Sequence, residues 1–323
     1  MSEELLRLLA CPVCLRGDLA GLTAEPSDGK LTCTHCGEVY EVHDGIPILV
    51  PPGFDPGRAH DELDHLHAHK QRQAEHYDSA VAEEFETVRP HGTPRGYRWL
   101  LGQKLARAVA HLPVLRRAVV VDACCGSGME AEYLARNGAR VLAVDISEGA
   151  ALRARARARR FGLDYLVVVG DAEHLPIRTR AADVAFVHDG LHHLADPLSG
   201  VRELARVANQ AVSITEPADA VLTQVAVLLG IAANEEEAGN KVRRLRPGQV
   251  RHELEAAGFS ARSERYLVYY GHEPGRAMRL LSRPPLYSAF KAGVGAADLV
   301  AGRWGNKLCV TGIRSGLQTR GNR

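Results

Sequence analysis

The sequence has almost no net charge, since 40 lysines and arginines face 39 aspartates and glutamates among 323 residues. Without a strong positive field, the chain has no general attraction to nucleic acid or to an anionic membrane, although a local basic patch is compatible with this balance. It also lacks any apolar run of the ~18 residues that a membrane-spanning helix needs, and its first residues, MSEELLRLLACPVC, contain no cationic leader. We therefore expect a cytoplasmic protein without a membrane span.

Hydrophobic residues make up 46% of the chain and charged residues 24%, which is typical of globular proteins and not of disordered ones. Its length exceeds that of one ordinary domain, and its seven cysteines favour metal or thiol chemistry over disulfides. We predict an N-terminal domain over residues 1–50, a linker and helical arm over 51–99, and a large α/β domain over 100–323. The segment PPGFDPG marks the first boundary, because prolines and glycines prevent a regular element.

Two C-x-x-C pairs occur in the N-terminal domain, Cys11 with Cys14 and Cys33 with Cys36. Two pairs at this separation are typical of a zinc ribbon, in which tight turns direct four thiolates to one Zn²⁺ ion. So small a module buries too little apolar surface to fold unaided, and the structural zinc would supply the missing free energy. A redox-active dithiol is the alternative. We assign no ligand role to His35, within the second pair.

The segments LLRLLACPVC and LTCTHCGEVYEVHDGIPILV, with this cysteine spacing, resemble the small zinc proteins that bind and activate tRNA and protein methyltransferases. The resemblance covers residues 1–50. It implies a module that stabilises a methyltransferase and does no chemistry itself, here within the same chain.

The arm contains a histidine-rich stretch, HDELDHLHAHK, in which His65 and His69 would share one face of a helix. That pair suits a metal ion, but we favour a solvated linker helix, since no third ligand is fixed nearby. The following segment, HYDSAVAEEFE, resembles the helix that precedes many small-molecule methyltransferase cores and folds over the cofactor. The resemblance implies that Tyr77 approaches the cofactor, with simple packing as the alternative.

The segment AVVVDACCGSG is a β-branched run that ends in a glycine turn, and the helical pattern MEAEYLARNGA follows it. Gly126 and Gly128 allow a ligand to approach the backbone where a Cβ atom would collide. Two further strands then end at Asp145 and Asp171, and ADVAFVHDG provides a fourth strand. This order predicts a Rossmann-like doubly wound sheet, because parallel strands bring their carboxyl ends to one edge.

Two classes of Rossmann-type protein compete for this pattern. Dinucleotide-binding enzymes have a third glycine, which Ala131 replaces here, although alanine is tolerated at that position. The segments VGDAEHLPI and LHHLADP favour the other class, because both resemble the S-adenosylmethionine methyltransferases of quinone and natural-product biosynthesis. This resemblance covers roughly residues 75–218 and departs from the family at Cys124, where glycine is usual.

The resemblance implies roles for individual residues around the cofactor. The methionine portion of S-adenosylmethionine would lie against Gly126 and Gly128, with Asp122 near its amino group. Asp145 would bind the ribose, and Asp171 would accept a hydrogen bond from the adenine amino group. The implied cofactor-binding residues are Tyr77, Asp122, Gly126, Gly128, Asp145, Ile146, Asp171, Ala172 and His188. For the carboxylates, a helix cap or an exposed charge is the alternative.

Methyl transfer is a displacement at an electrophilic sulfonium, so the enzyme mainly aligns the acceptor and excludes water. Where the acceptor must lose a proton, histidine is the usual base because its ordinary pKa lies near neutral pH. In the natural-product O-methyltransferases that this chain resembles, the residues corresponding to His192, His193 and Glu216 flank the acceptor. We predict that His192 is a general base oriented by His193 or Glu216. Alternatively, the histidines only shape the floor of the site.

The C-terminal part predicts a helix at RPGQVRHELEAAGF and an antiparallel strand pair, SERYLVYYG and NKLCVTGIR, that closes the sheet. Between these strands we predict a helical insertion at about residues 271–303. Tyr269, Tyr270, Met278 and Tyr287 either line an acceptor pocket there or belong to the core. The arginine-rich segment ALRARARARRFG is interpreted as the solvated face of a crossover helix.

The sequence therefore predicts an S-adenosylmethionine-dependent methyltransferase with a small-molecule acceptor, acting by O-methylation in natural-product or secondary metabolism. An RNA methyltransferase that recognises its substrate through the zinc domain is the alternative, favoured by KVRRLRPGQVR and disfavoured by the near-neutral charge. A non-catalytic scaffold that binds the cofactor is a third class. We expect no nucleic-acid partner, and the sequence leaves a homo-oligomer open.

Overall fold

The computed structural model describes residues 3–23, 28–52, 65–79, 93–220, 224, 244–267 and 276–316. The eleven strands within these ranges are β1 (Leu19–Ala20), β2 (Gly29–Cys33), β3 (Val39–His43), β4 (Ile46–Leu49), β5 (Val119–Ala123), β6 (Arg140–Asp145), β7 (Leu166–Gly170), β8 (Ala182–His188), β9 (Ala208–Pro217), β10 (Phe259–Tyr266) and β11 (Lys307–Arg314). The α-helices are α1 (Glu3–Leu6), α2 (His65–Ser79), α3 (Arg95–Val109), α4 (Met129–Arg136), α5 (Glu148–Phe161), α6 (Pro197–Val207), α7 (Pro247–Ala256), α8 (Arg276–Leu281) and α9 (Leu286–Ala301). Two short 3₁₀ helices occupy Leu191–His193 and Gly302–Trp304.

All these strands belong to one sheet, in the order β1-β2-β3-β4-β7-β6-β5-β8-β9-β11-β10. The strands from β4 to β9 pair in parallel, and β11 is antiparallel to both of its neighbours. If β5 is numbered as the first strand of the α/β region, the order of its strands across the sheet is 3-2-1-4-5-7-6. This is a Rossmann-like doubly wound sheet closed by an antiparallel pair, which confirms the predicted fold. The order reverses between β5 and β8, where sheets of this kind form a ligand-binding crevice.

The central strands are buried on both faces, as expected for parallel strands covered by helices. Alternate residues enter different hydrophobic clusters, because successive side chains of a strand point to opposite faces. Val121 and Val144 pack in one cluster, and Val120 and Ala143 pack in the other. The β-branched runs of the sequence therefore fix the carboxyl ends of β5 to β8 at one edge of the sheet.

The arginine-rich helix α5 connects the parallel strands β6 and β7 and exposes Arg159, as interpreted from the sequence, but Arg157 and Arg153 are not solvated as that interpretation expected. Arg157 is buried, and its Nε donates to a carboxylate oxygen of Glu132 over 2.8 Å. Arg153 donates to the backbone oxygens of Tyr77 and Asp78. Solvent does not surround these positions because α2 and α4 both pack against α5.

The N-terminal strands extend the large sheet. β4 pairs in parallel with β7, with Ile48 opposite Val169. Leu9 forms a bridge to Ile177, and its buried side chain belongs to the same hydrophobic cluster as Val121. The N-terminal region and the α/β region therefore share a sheet and a core. The predicted linker begins after β4, and its residues 53–64 lie outside the described ranges.

The C-terminal strands pair as predicted, although β10 begins at Phe259, before the segment that the sequence indicated. The register runs from Phe259 opposite Arg314 to Tyr266 opposite Lys307. Helices α8 and α9 lie within the predicted insertion, whereas Tyr269 and Tyr270 lie outside the described residues. None of the described helices has the length and apolar content that crossing a bilayer requires.

Because the N-terminal strands share a core with the large sheet, we predict that the two regions unfold together. Leu9 is 2% exposed, so Leu9→Ala should lower the free energy of unfolding of the whole chain by about 2–5 kcal/mol. Urea unfolding followed by circular dichroism and by fluorescence should show coincident transitions at a lower midpoint. Val39→Ala in β3, where the side chain is 48% exposed, is the matched control. Two separate transitions, only one of which responds to Leu9→Ala, would contradict this prediction.

Candidate functional site

The loop between β5 and α4 depends on glycine for its conformation. Gly126 and Gly128 have φ angles of 51° and 82°, in the left-handed region. A Cβ atom on Gly128 would lie 2.8 Å from the Tyr165 hydroxyl and 3.0 Å from the Cβ of Ala154, so this glycine allows close packing. A Cβ on Gly126 would meet no atom within 4 Å. The open space beside the loop therefore lies at Gly126.

Cys124, where the resembling family has glycine, also has a positive φ of 55°. The left-handed conformation costs a non-glycine residue roughly 1–2 kcal/mol. Gly190 makes room for the cysteine, because a Cβ at that position would lie 2.3 Å from the Cβ of Cys124. Cys124 thus adopts a conformation that glycine favours, and the absence of a side chain at Gly190 leaves room for it.

Asp145, at the end of β6, fixes the glycine loop. Its carboxylate accepts hydrogen bonds from Gly126 N over 2.8 Å and from Ser147 N over 3.0 Å. Burial raises the pKa of Asp145, and the two backbone donors offset only part of this effect. Ile146, the next residue, is half-buried. The predicted ribose ligand is therefore also a structural support of the loop.

Asp122, in β5, is 1% exposed, and neither of its carboxyl oxygens has a hydrogen-bond partner among the described residues. Burial raises its pKa well above the ordinary value, and the nearby charges of Glu130 and Asp145 add to the shift. A buried carboxyl without a partner destabilises a fold, and a cation at this place would compensate it. This group is the clearest sign of a ligand site at the carboxyl edge.

Asp171, which follows β7, is paired with the arm helix α2. Lys70 Nζ lies 2.6 Å from Asp171 Oδ2 and 2.6 Å from Glu173 Oε2. Burial opposes ionisation of Asp171, but His174 and Lys70 outweigh it and lower the pKa of this carboxyl. Ala172 beside it is buried. Asp171 thus joins the arm to the edge of the sheet.

The arm also contacts the histidine pair that the sequence singled out. Tyr77 Oη lies 3.1 Å from His193 Nε2, and His69 Nε2 lies 2.7 Å from the His193 backbone oxygen. The structure thus brings Tyr77 to the predicted site. The side chain of His65 lies outside the described residues, so the His65–His69 metal pair stays an untested alternative.

Asp78, near the end of α2, holds the arm on the first turn of α5. Its carboxylate accepts from Ser147 Oγ over 2.6 Å and from Gly149 N over 2.8 Å. A Cβ atom on Gly149 would lie 2.8 Å from the Cα of Asp78, so this glycine permits the close approach of the two helices.

His192 and Glu216 form a buried hydrogen-bonded pair, with His192 Nδ1 2.6 Å from Glu216 Oε2. Glu216 Oε1 accepts from Leu191 N over 2.7 Å and from Gly190 N over 2.9 Å. Burial opposes ionisation of Glu216, but His192 and the two backbone donors outweigh it and lower its pKa. An ionised Glu216 keeps a proton on Nδ1 of His192, which makes Nε2 the basic nitrogen. The ring of His193 lies 4.1 Å from that of His192, centroid to centroid.

His188, at the end of β8, pairs with Glu130 in the first turn of α4. The distance from His188 Nδ1 to Glu130 Oε1 is 3.0 Å. Burial lowers the pKa of His188 to about 4, so the ring is neutral near pH 7 and donates from Nδ1. Its Nε2 is buried without a partner among the described residues. His188 thus offers a second unsatisfied polar atom at this edge.

Two buried lysines meet one carboxylate just after β8. Lys104 Nζ lies 2.8 Å from Asp189 Oδ2, and Lys307 pairs with the other oxygen. Burial lowers the pKa of Lys104 to about 7 and that of Lys307 well below its ordinary value. This cluster lies on the β11 side of the edge, away from Asp122 and Asp145 in the sheet order.

A groove lies between α3, the end of β10 and α9. Its walls include Trp99, Lys104, Arg107 and Tyr266. The Tyr266 hydroxyl is buried and has no hydrogen-bond partner within the described ranges. Met278, which the sequence offered as a lining residue, packs instead in a hydrophobic cluster with α3.

The four cysteines of the N-terminal region converge on one point. Their sulfur atoms all lie within 4.8 Å of one another, and Cys11 to Cys36 and Cys14 to Cys33 are each 3.6 Å apart. Tetrahedral Zn²⁺ with Zn–S bonds of ~2.3 Å separates its sulfurs by about 3.8 Å, so the set fits structural zinc.

Two neighbours support the cysteine cluster. Tyr40 Oη lies 3.0 Å from Cys11 Sγ, a hydrogen bond of the kind that orients metal ligands. A Cβ atom on Gly17 would lie 2.2 Å from Cys33 Sγ, so only glycine fits there. Neither residue was predicted, because each acts through a cysteine distant in sequence.

Sequence reasoning also missed Lys70, Asp78, Lys104 and Glu130, all of which occupy helices. In the sequence, their positions cannot be distinguished from solvated positions of a helix. Composition and spacing therefore did not indicate that these residues belong to the site. For Lys70 and Asp78, the one available signal was the resemblance of the neighbouring segment to an arm that folds over the cofactor. Glu130 had a weaker signal, its place directly after the glycine loop.

Comparison with known proteins separates the chain into two matched regions. Residues 2–45 match the family described as Trm112p-like protein, and residues 121–212 match the family described as methyltransferase domain. A demethylmenaquinone methyltransferase of Thermobifida fusca is 35% identical over 102 residues, covering 31% of this chain and 42% of that protein. A malonyl-[acyl-carrier protein] O-methyltransferase of Yersinia pestis is 31% identical over 137 residues, covering 42% and 43%. The chain thus spans less than half the length of these relatives.

Among solved structures, a magnesium protoporphyrin IX methyltransferase from Synechocystis PCC 6803 with bound S-adenosylmethionine has a TM-score of 0.49 and 16% identity. The match covers 76% of this chain and 97% of that one. By the two family matches, the chain joins a Trm112p-like domain, which contains the four-cysteine cluster, to a methyltransferase domain, which contains the glycine loop and the acidic edge.

Proposed function

We propose that this chain transfers the methyl group of S-adenosylmethionine to a small-molecule acceptor. The observation that carries the proposal is the unpartnered, buried Asp122 beside Glu130 and Asp145. S-adenosylmethionine has an ammonium and a sulfonium group, so it brings positive charge to this edge. A dinucleotide brings an anionic pyrophosphate, which the same three carboxylates would repel.

We assign the residues that contact each part of the cofactor from this charge distribution and from the family resemblance. Asp122 holds the ammonium group beside Gly126, and Asp145 binds the ribose hydroxyls. Asp171, already fixed by Lys70, accepts from the adenine amino group. The remaining contacts are assigned to Tyr77, Gly128, Ile146, Ala172 and His188.

Asp122 distinguishes cofactor binding from structural support better than the other two acids. Asp145 holds the glycine loop and Asp171 holds the arm, so replacing either one disturbs the fold as well as the ligand. Neither oxygen of Asp122 has a hydrogen-bond partner among the described residues, although the backbone of Ala131 partly offsets the rise in its pKa. A neutral residue of the same shape at this position therefore disturbs the surrounding structure less than a substitution of Asp145 or Asp171 would.

We predict that Asp122→Asn weakens S-adenosylmethionine binding by roughly tenfold to a hundredfold, because a charge-assisted hydrogen bond is worth about 1.5–3 kcal/mol. Isothermal titration calorimetry measures this directly. Asp164→Asn, an exposed acid just before β7, is the matched control and should bind as the unaltered chain does. Unchanged affinity in Asp122→Asn would remove the main support for the proposal.

The same substitution should stabilise the cofactor-free protein. Because the pKa of Asp122 is raised by folding, the folded chain holds this proton more tightly than the unfolded chain. The unfolding free energy therefore falls as pH rises from the ordinary carboxyl pKa of ~3.9 through the raised value. Asp122→Asn removes this dependence and should add at least about 1 kcal/mol at neutral pH. A destabilised Asn variant would indicate that the carboxyl has a structural partner.

The proposed acceptor site lies on the β8 and β9 side of the cofactor, at His192 and Glu216. The buried pairing of Nδ1 with Glu216 leaves Nε2 as the proton acceptor, which suits deprotonation of a hydroxyl before O-methylation. Relatives named as demethylmenaquinone and malonyl-carrier O-methyltransferases support a small-molecule acceptor, and we propose a role in secondary metabolism.

The described part of the basic segment favours a small acceptor over RNA. Arg246 lies 3.4 Å from a carboxylate oxygen of Asp219, and Arg251 lies 3.1 Å from one of Glu255. Arginines that pair with carboxylates of their own chain are poor phosphate ligands. Residues 241–243 of this segment lie outside the described ranges.

We predict that His192→Asn lowers kcat by roughly 10²–10⁴-fold and removes the limb of the pH–rate profile that reports its ionisation. Glu216→Gln should move that limb to lower pH, because an amide stabilises a protonated ring less than a carboxylate does. Methyl transfer to a panel of phenols and hydroxyquinones, followed through S-adenosylhomocysteine release, provides the rates. His252→Asn, exposed on α7, is the control. A pH profile unaltered by His192→Asn would leave the histidine a packing role only.

The Trm112p-like domain is proposed to support the methyltransferase domain from within the same chain. Strand β4, which directly follows the matched residues 2–45, pairs with β7, and Asp171 follows β7, so the four-cysteine module supports the strand that leads to one of the proposed cofactor contacts. An ion pair between Arg178 and Asp18 and a backbone hydrogen bond from Ala10 N to Pro176 O reinforce the contact. The unfolding experiment with Leu9→Ala tests this coupling.

A further inference from the structure

Helix α9 exposes mainly small and apolar residues, with Lys291 as its one exposed charge. Its exposed positions are Leu286, Ser288, Ala289, Lys291, Ala292, Gly293, Gly295, Ala296, Ala297, Leu299 and Val300. Leu299 is 88% exposed and Val300 is 74% exposed. A helix on the surface of a protein normally places charged and polar side chains outward. The outer face of α9 is therefore unusual for a water-exposed surface.

The opposite face of α9 is the one that packs on the protein. Tyr287 is buried, and the ring of Phe290 lies 5.8 Å from that of Trp99 in α3. Asp298 pairs with Arg107 of α3 over 2.5 Å. These contacts fix the rotation of the helix about its axis. Leu299 and Val300 therefore point away from the rest of the described chain.

The charges around this face are almost all of one sign. Residues 276–304 contain four arginines and one lysine, Arg276, Arg279, Arg283, Lys291 and Arg303, all exposed. Asp298, the one acid of this stretch, is partly buried against Arg107. None of the five cations forms an ion pair with another described residue, whereas the whole chain carries a formal charge of only +1.

Other apolar and aromatic side chains extend the face. Leu280 is 53% exposed and Leu286 is 40% exposed. Trp304, at the other end of α9, is 43% exposed, with the Arg303 guanidinium 3.8 Å from its ring. Exposed leucines flanked by arginines and a tryptophan are characteristic of helices that lie in the headgroup region of a bilayer.

We propose that the surface formed by α8, the following turn, α9 and Trp304 binds an anionic lipid bilayer. Leu299, Val300 and Trp304 enter the interface between headgroups and acyl chains, and the arginines contact the lipid phosphates. Charge complementarity selects this occupant over a second copy of the chain, since two copies would bring five cations against five. With Leu299, Val300 and Trp304 in the bilayer interface, the groove between α3 and α9 lies next to the lipid.

Vesicle sedimentation tests the proposal with the full chain and without cofactor, so its outcome does not depend on the proposed methyl transfer. The chain should bind vesicles of phosphatidylcholine with phosphatidylglycerol, and bind phosphatidylcholine alone far more weakly. Salt should weaken the binding, and Arg279→Ala and Arg283→Ala should each reduce it by roughly fivefold. Arg159→Ala, an exposed arginine on α5, is the charge-matched control.

The apolar part of the interface needs its own variants. Leu299→Asp and Val300→Asp should each reduce binding at least tenfold, whereas Val114→Asp, at a position that is 69% exposed between α3 and β5, should not. Thermal melting shows that each variant is folded. Equal binding to both vesicle types, or no loss with Leu299→Asp, overturns the proposal. A dimer in light scattering that Leu299→Asp separates also overturns it, because the face would then belong to a second copy.

Discussion

The hydrogen bond from Gly126 N to Asp145 determines the shape of the candidate site. It joins the turn after β5 to the end of β6, and it occupies one oxygen of Asp145 while Ser147 N occupies the other. Neither oxygen of Asp122, in the same region, has a comparable hydrogen bond among the described residues, and the backbone of Ala131 only partly offsets the effect of burial on its pKa. A rigid loop beside an uncompensated carboxyl is a preorganised site for a cation, because the cost of ordering the loop is met before the ligand arrives.

The arm helix and the Trm112p-like domain act on this edge from two directions. From one side, α2 contacts Asp171 through Lys70 and the first turn of α5 through Asp78. From the other, β4 pairs with β7 beneath Asp171. Asp171, the proposed contact of the adenine, thus depends on the arm helix α2 and on the pairing of β4 with β7. This arrangement gives a physical reason for the arm and the Trm112p-like domain to be in one chain with the methyltransferase domain.

Much of the fold could be predicted from sequence, because strong local patterns specify it. The runs AVVVDACC and YLVVVGD are too apolar for any place except the middle of a parallel sheet, and their last residues fall at its carboxyl edge. The four cysteines were equally informative, since their spacing allows few arrangements other than one metal site. The sequence offered either His193 or Glu216 as the residue that orients His192, and in the structure Glu216 is within hydrogen-bonding distance of His192 Nδ1.

The parts that sequence could not supply depend on contacts between distant helices. Nothing around Lys70 distinguishes it from a solvated lysine, yet it lies between two carboxylates contributed by a loop far along the chain. Arg157 was interpreted as solvated for the same reason, and Glu132 of α4 buries it. The continuity of β4 with β7 was likewise unpredictable, because a short strand carries no information about which neighbour it will join.

A crystal structure of the chain with S-adenosylhomocysteine tests the central claim most directly. The account predicts that the amino group of the ligand lies within hydrogen-bonding distance of Asp122 and that its ribose hydroxyls contact Asp145, with the glycine loop in its present conformation. A nucleoside bound elsewhere, or an Asp122 carboxyl still without a partner in the complex, would contradict it.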